Sequence, residues 1–157
     1  MDLTIDVEDY KLNIRAAGLI IHNGKVLLHK NINADHYALL GGRVKCGEDS
    51  ETTLKREIQE ELGKQIEIIG YASTIENFFE FKGHKYHEIM FVHLAEFSSD
   101  EDKKIEYTLK NIEGEEDLQY EWIDISKIDE YNLVPKVIKE VLKDGKFPMH
   151  KINNDMK

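Results

Sequence analysis

The 157-residue chain contains a single cysteine, Cys46. No internal disulfide can form, and a reducing, cytoplasmic location is the default expectation. Prolines number two, and no stretch rich in Pro or Gly reads as a linker. Internal repeats and low-complexity tracts are missing as well. One domain over residues 1–144 is expected, with residues 145–157 as a loosely held tail. No apolar run approaches the roughly 18 residues that a membrane span needs. Residues 1–6 have neither a basic start nor an apolar core, so they are not expected to be a signal peptide. Positive charge is also short: 21 Lys+Arg face 31 Asp+Glu, for a net charge of −10. That balance argues against binding long nucleic acids, which requires a basic surface. An acidic protein that takes a polyanion must supply cations locally, from clustered Arg and Lys or from bound metal.

The apolar segments are short and β-like, except for two. Residues 13–22 and 25–29 flank Asn23-Gly24, a pair suited to the positive φ angles of a tight hairpin. Residues 37–40 form a third strand. Two long strands follow over 66–81 and 86–97, with 82–85 as their turn. Residues 105–109 and 120–125 are shorter strands, separated by an acidic loop over 111–117. Helical spacing occurs over 50–62, ending at Gly63, and again over 133–142, where Pro135 falls in the first turn. Strands on both sides of one helix, with a second helix late, predict an α/β domain in which two helices cover opposite faces of a mixed sheet.

The first helix is rich in glutamates, and a stretch of that kind is by itself usually a solvated face. With Leu54 at zero and about 100° per residue, Ile58 falls at about 40° and Leu62 at about 80°, which makes these three the buried stripe. On the same wheel Glu61 lies at about −20°, Glu57 at about −60°, Glu60 at about −120° and Arg56 at about 200°. Glu57 and Glu61 therefore border the stripe. Like charges crowded there repel, and a cation among them removes the penalty. Carboxylate oxygens are the ligands that Mg²⁺ and Mn²⁺ prefer.

The flanks make this pattern specific. Gly42 is followed after five residues by Glu48, and after seven more by Arg56-Glu57-Ile58-Gln59-Glu60-Glu61-Leu62-Gly63. This resembles the Nudix box: Gly, five residues, Glu, seven residues, Arg-Glu-aliphatic-any-Glu-Glu-any-Gly-aliphatic. Only the last position departs, where Lys64 replaces an aliphatic residue. Leu40 also stands where family members commonly have Pro, which leaves that segment its backbone donor.

The resemblance implies a Nudix-type α/β/α sandwich with a mixed central β-sheet. It also implies hydrolysis of a diphosphate linkage in a small nucleoside diphosphate derivative by metal-activated water, with Mg²⁺ or Mn²⁺. Carried onto this sequence, Glu57, Glu60 and Glu61 become metal carboxylates, and the Gly41 carbonyl a further ligand. Glu48 and Arg56 form an ion pair that fixes the loop to the helix. Glu57 is the first choice as base or as metal-bound orienter of the water, and Glu116 in the acidic loop is a second candidate base and metal ligand, with Glu115 next. A homodimer is implied by the same likeness. A silent nucleotide sensor of this fold is the alternative, but such members usually lose box carboxylates and this chain keeps them. An isoprenoid diphosphate isomerase, which shares the fold, lacks its cysteine–glutamate arrangement here.

Weaker signals lie outside the box. Arg15 and Arg43 are candidate phosphate contacts, and Phe79 is a candidate surface for a base to stack on. His87 and His93 share a strand face as ordinary sheet residues, His84 in the turn is a candidate substrate contact, and Glu88 is a candidate accessory metal ligand. Substrate identity is not legible in the box.

Overall fold

The computed structural model describes residues 1–104 and 118–156, together with the backbone of 109–110. The elements in chain order are β1 (Thr4–Val7), β2 (Tyr10–His22), β3 (Lys25–Asn31), β4 (Ala38–Arg43), α1 (Ser50–Leu62), β5 (Ile66–Phe81) and β6 (His84–Phe97). They continue with α2 (Asp100–Lys103), β7 (Leu109–Lys110), β8 (Leu118–Asp124), a 3-10 turn (Ile125–Glu130), α3 (Ile138–Asp144) and β9 (Met149–Asn154).

The strands form one mixed sheet in the order β7-β8-β3-β4-β2-β6-β5-β9, with β1 paired to β2. β2 runs parallel to β6 and β5 parallel to β9, while the remaining pairs are antiparallel. Alternation along β2 divides the core. Ala16 and Ile20 face α1 and pack with Leu54, Ile58, Leu62 and Phe97. Ala17 and Leu19 face the other way and pack with Met90, Val92, Ile138 and Val141. The helices therefore seal opposite faces, and the α/β/α sandwich expected from the sequence is the observed fold.

Several boundaries follow from local chemistry. Asn23 and Gly24 have φ of 50° and 73°, and the register pairs His22 with Lys25, so β2 and β3 close through a two-residue turn. The β5–β6 turn is shorter than expected. Lys82 and Gly83 alone make it, and Phe81 pairs with His84. Helix α1 begins where the Asp49 side chain accepts from the Thr52 amide and ends where Gly63 turns left-handed at φ 65°. Helix α3 starts later than its apolar spacing suggests, at Ile138 rather than 133. Pro135 lacks an amide proton, and its ring disfavours helical backbone at Val134.

Two strands are absent from the sequence reading. Thr4–Val7 pairs with β2, and Met149–Asn154 extends the sheet beside β5. The second of these corrects the expected loose tail: part of it is an edge strand, tied in further by the Asp155 amide donating to the Phe78 carbonyl. The acidic loop with Glu115 and Glu116 lies outside the described residues.

Candidate active site

Strand β4 and helix α1 meet edge to edge, and glycine makes that approach possible. A side chain at Gly42 would collide with the Glu57 carboxyl, and one at Gly41 with the Ala16 backbone. These two positions let the loop of the box lie flat against β2 and leave room for the Glu57 side chain over the strand.

The loop is pinned by charge. Arg56 Nε and Nη2 donate to Glu48 Oε2 and Oε1, both at 2.9 Å, the two-pronged geometry in which a guanidinium binds carboxylate best. Thr53 Oγ1 donates to the same Glu48 at 2.6 Å. Together they hold the Glu48 carboxyl down to a pKa of about 2, with Arg56 the larger cause. Arg56 Nη1 also donates to Glu57 at 2.9 Å and to Glu60 at 3.2 Å, and Nη2 to the Arg43 carbonyl at 3.3 Å. The wheel had placed Arg56 opposite the stripe. Its length, rather than its angle, brings the guanidinium back among the carboxylates.

The carboxylates themselves sit as the wheel orders them. Glu57 and Glu61 are half-buried and Glu60 is exposed. Burial raises the Glu57 pKa against the opposing pull of Arg56. Glu61 Oε2 accepts from the hydroxyl of Tyr120 at 3.4 Å, and Tyr120 is fully buried on β8. Sequence reasoning missed Tyr120. Only the pairing of β8 with β3 carries it to α1, a distance of 59 residues along the chain.

A cleft of about 520 Å³ runs past Gly41, Gly42, Glu57 and Glu61 and is also lined by Arg15, Arg43 and His29. Both expected phosphate contacts thus reach the cleft that the box carboxylates line. Arg15 and Arg43 are also register partners across β2 and β4. His29 is a further residue the sequence did not single out. Burial lowers its pKa to about 4, and its Nδ1 is sealed from solvent with no hydrogen-bond partner among the described residues. Phe79 is elsewhere: it lines a neighbouring pocket and stacks on Tyr86 with ring centroids 4.8 Å apart. His84 is exposed at the start of β6, His87 packs its ring against Phe78 at a tilt, and His93 is buried with Nε2 2.8 Å from Ser50 Oγ.

Two further side chains lie outside this cleft. Glu88 is buried on β6 and bonded to Asn13 and Asn77, apart from the cleft that the box carboxylates line. Its even spacing from Met90 and Val92 turns it toward the α3 face, away from α1. Lys64, where the box pattern expects an aliphatic side chain, is half-buried and donates to Asp102 of α2 at 2.7 Å. The helix end is anchored there by an ion pair instead of apolar packing.

A family model for the NUDIX domain matches residues 12–144, and the chain belongs to the Nudix family. It is accordingly a Nudix phosphohydrolase. Solved structures share the fold. A UDP-X diphosphatase matches with a TM-score of 0.62 at 19% identity, over 88% of this chain and 66% of that one. A MutT NUDIX hydrolase from Burkholderia pseudomallei matches with 0.63 at 21%, over 86% and 98%. An ADP-ribose pyrophosphatase from Streptococcus suis matches with 0.62 at 10%, over 88% and 98%. A comparison with curated proteins gives no match.

Proposed function

We propose that this chain hydrolyses the diphosphate linkage of a small nucleoside diphosphate derivative with the help of Mg²⁺ or Mn²⁺. The observation that carries this is the shared cleft: box carboxylates, the paired glycines and two arginines line one space. Glu57, Glu60, Glu61 and the Gly41 carbonyl would hold the cation, with Glu116 of the acidic loop as a further ligand. Among the described residues no three acidic, histidine or cysteine side chains form a ready cage. The fit rests on donor chemistry and on charge. The donors are all oxygen, as a hard divalent ion requires. Three carboxylates share the one guanidinium of Arg56, so the cluster is short of positive charge. What a bound divalent ion supplies is neutralisation of the diphosphate oxygens and a more acidic water.

The chain's own residues do the rest. Arg15 and Arg43 hold the diphosphate oxygens. The Glu57 carboxyl, made more basic by burial, takes a proton from the attacking water. Glu48 fixes Arg56, which in turn fixes the direction of Glu57. We read residues 1–144 as the catalytic unit. A cytoplasmic location is part of this reading and is supported by the exposed free thiol of Cys46. So is a homodimer, which rests on the family likeness alone.

The test is a screen of nucleoside triphosphates, ADP-ribose, dinucleoside polyphosphates and nucleotide sugars for phosphate or nucleoside monophosphate release, with Mg²⁺, with Mn²⁺ and with chelator. Turnover that requires the metal and collapses in Glu61→Gln is expected. Binding without turnover in saturating metal would favour the silent nucleotide sensor.

A further inference from the structure

A second pocket of about 350 Å³ opens beside the cleft and shares Arg15, His36, Ala38 and Phe81 with it. Its walls are largely apolar, from Leu39, Phe79, Met90 and Pro135. Polar groups line it too, and among them is Glu88, which is only 4% exposed. The Glu88 carboxylate is oriented by a row of side chains that crosses five strands. Thr4 Oγ1 donates to Asn13 Oδ1 at 2.8 Å, and Asn13 Nδ2 donates to Glu88 Oε2 at 2.6 Å. From the other side Asn153 Nδ2 donates to Asn77 Oδ1 at 3.0 Å, and Asn77 Nδ2 donates to Glu88 Oε1 at 3.2 Å. Every donor in the row points toward Glu88.

The partners of Glu88 are amides, and neither oxygen has a cation partner among the described residues. A carboxylate withdrawn from water without a counterion is costly, and at a pocket wall that cost marks a binding role. Each oxygen accepts one amide hydrogen and keeps a further lone pair. The group is a fixed double acceptor in a pocket of largely apolar walls. A sugar diol offers two donors but no flat apolar face, whereas a heterocycle offers both.

Position agrees. Gly42 pairs with Ala16, and Ala16 pairs with Phe91, three residues from Glu88. Two strand spacings and three residues along β6 separate the two sites by about 14 Å. That separation suits a nucleotide with its diphosphate at one end and its base at the other.

We propose that this pocket receives the nucleobase, and that Glu88 reads it by accepting the adjacent N–H and NH₂ of a guanine-type edge. The proposal rests on the cleft being the diphosphate site, and it adds the base class. The experiment is calorimetric titration of the full chain, in Mg²⁺, with the α,β-methylene diphosphates of guanosine, inosine and adenosine. Inosine lacks only the NH₂ donor. The guanosine analogue should bind about tenfold more tightly than either of the others, the scale of a lost paired contact. Glu88→Gln should remove most of that gap while a thermal melt shows it folded. Should the variant fail to fold, the wild-type series alone decides. Equal binding of the three analogues, no binding of any, or a folded Glu88→Gln that keeps the gap would overturn the proposal. The two readings fail separately. Turnover with no preference among bases sinks this one alone, and guanosine-selective binding without turnover in metal sinks only the hydrolase reading.

Discussion

Glu57 and Glu88 are both carboxylates drawn out of water, and they are held by opposite means. Glu57 leans on a guanidinium that it shares with Glu48 and Glu60. Glu88 is held by two amides that are themselves held from behind. A shared cation leaves Glu57 under-neutralised and free to exchange partners, which suits a group that must meet metal, water and a proton within one cycle. Neutral amides fix a direction without cancelling charge, which suits a group that must present the same acceptors to every ligand. One contact pattern is built for turnover and the other for recognition.

The largest effect expected on breaking this contrast is at Glu57. Glu57→Gln removes the charge while keeping the shape, and kcat should fall by about 10³-fold or more, the scale of a lost base or metal ligand. Steady-state kinetics of Glu88→Gln should show KM rising more than kcat falls. If the two variants gave the same split between kcat and KM, the division of labour between the carboxylates would be wrong.

Next in size is Gly42→Ala. The new methyl group meets the Glu57 carboxyl, and the strand cannot retreat because Gly42 pairs with Ala16. A displacement of roughly 1 Å in a catalytic group costs about 10²-fold in rate. Circular dichroism should show the fold intact. Normal kcat in this variant would mean that Glu57 has slack, contrary to its tight seat over β4.

Much of the Glu57 side of the comparison was legible in the sequence. Gly63 fixed the end of α1, and helical geometry alone ordered Glu57, Glu60 and Glu61 by exposure. Spacing relative to Gly42 and Glu48 then identified the box. The Glu88 side was not legible, because its partners lie 75 and 11 residues away on β2 and β5. Period-two alternation gives the face of a strand but not its neighbours, and the parallel pairing of β2 with β6 leaves no short-range mark. The same reason hides Tyr120 and the strand at Met149–Asn154. Local chemistry was readable, and long-range register was not.

A third prediction concerns the support under Glu57. The Glu48 carboxyl is held at about 2, below its ordinary value of 4.5, so its contribution to stability is fully present above about pH 4.5. It is lost as pH falls toward 2. Glu48→Gln should therefore lower stability by about 2 kcal/mol at pH 7, typical of hydrogen bonds to a charged group. Chemical denaturation at pH 7 and at pH 3 should show the gap between wild type and variant closing at the lower pH. A gap that stays constant would mean that packing, not the Arg56 pair, holds the loop.

The smallest effect is expected at His29, which lies in the same cleft as Glu57 but is held by neither of the two devices. Burial lowers its pKa to about 4, with the Arg15 charge a lesser cause. In the unfolded chain an ordinary histidine, near 6.5, takes up a proton as pH falls, while the folded protein resists doing so until about 4. The unfolded state binds more protons across that window, so the folded state loses ground as pH falls from 6.5 to 4. Between pH 7 and pH 5.5 the loss amounts to about 1 kcal/mol. His29→Phe keeps a ring beside Tyr120, whose centroid is 5.6 Å away, and removes the titrating group. Its denaturation midpoint should change less than that of wild type over this range. Equal slopes would show that His29 protonates freely when folded, and that its part of the cleft is wetter than the sealed Nδ1 implies.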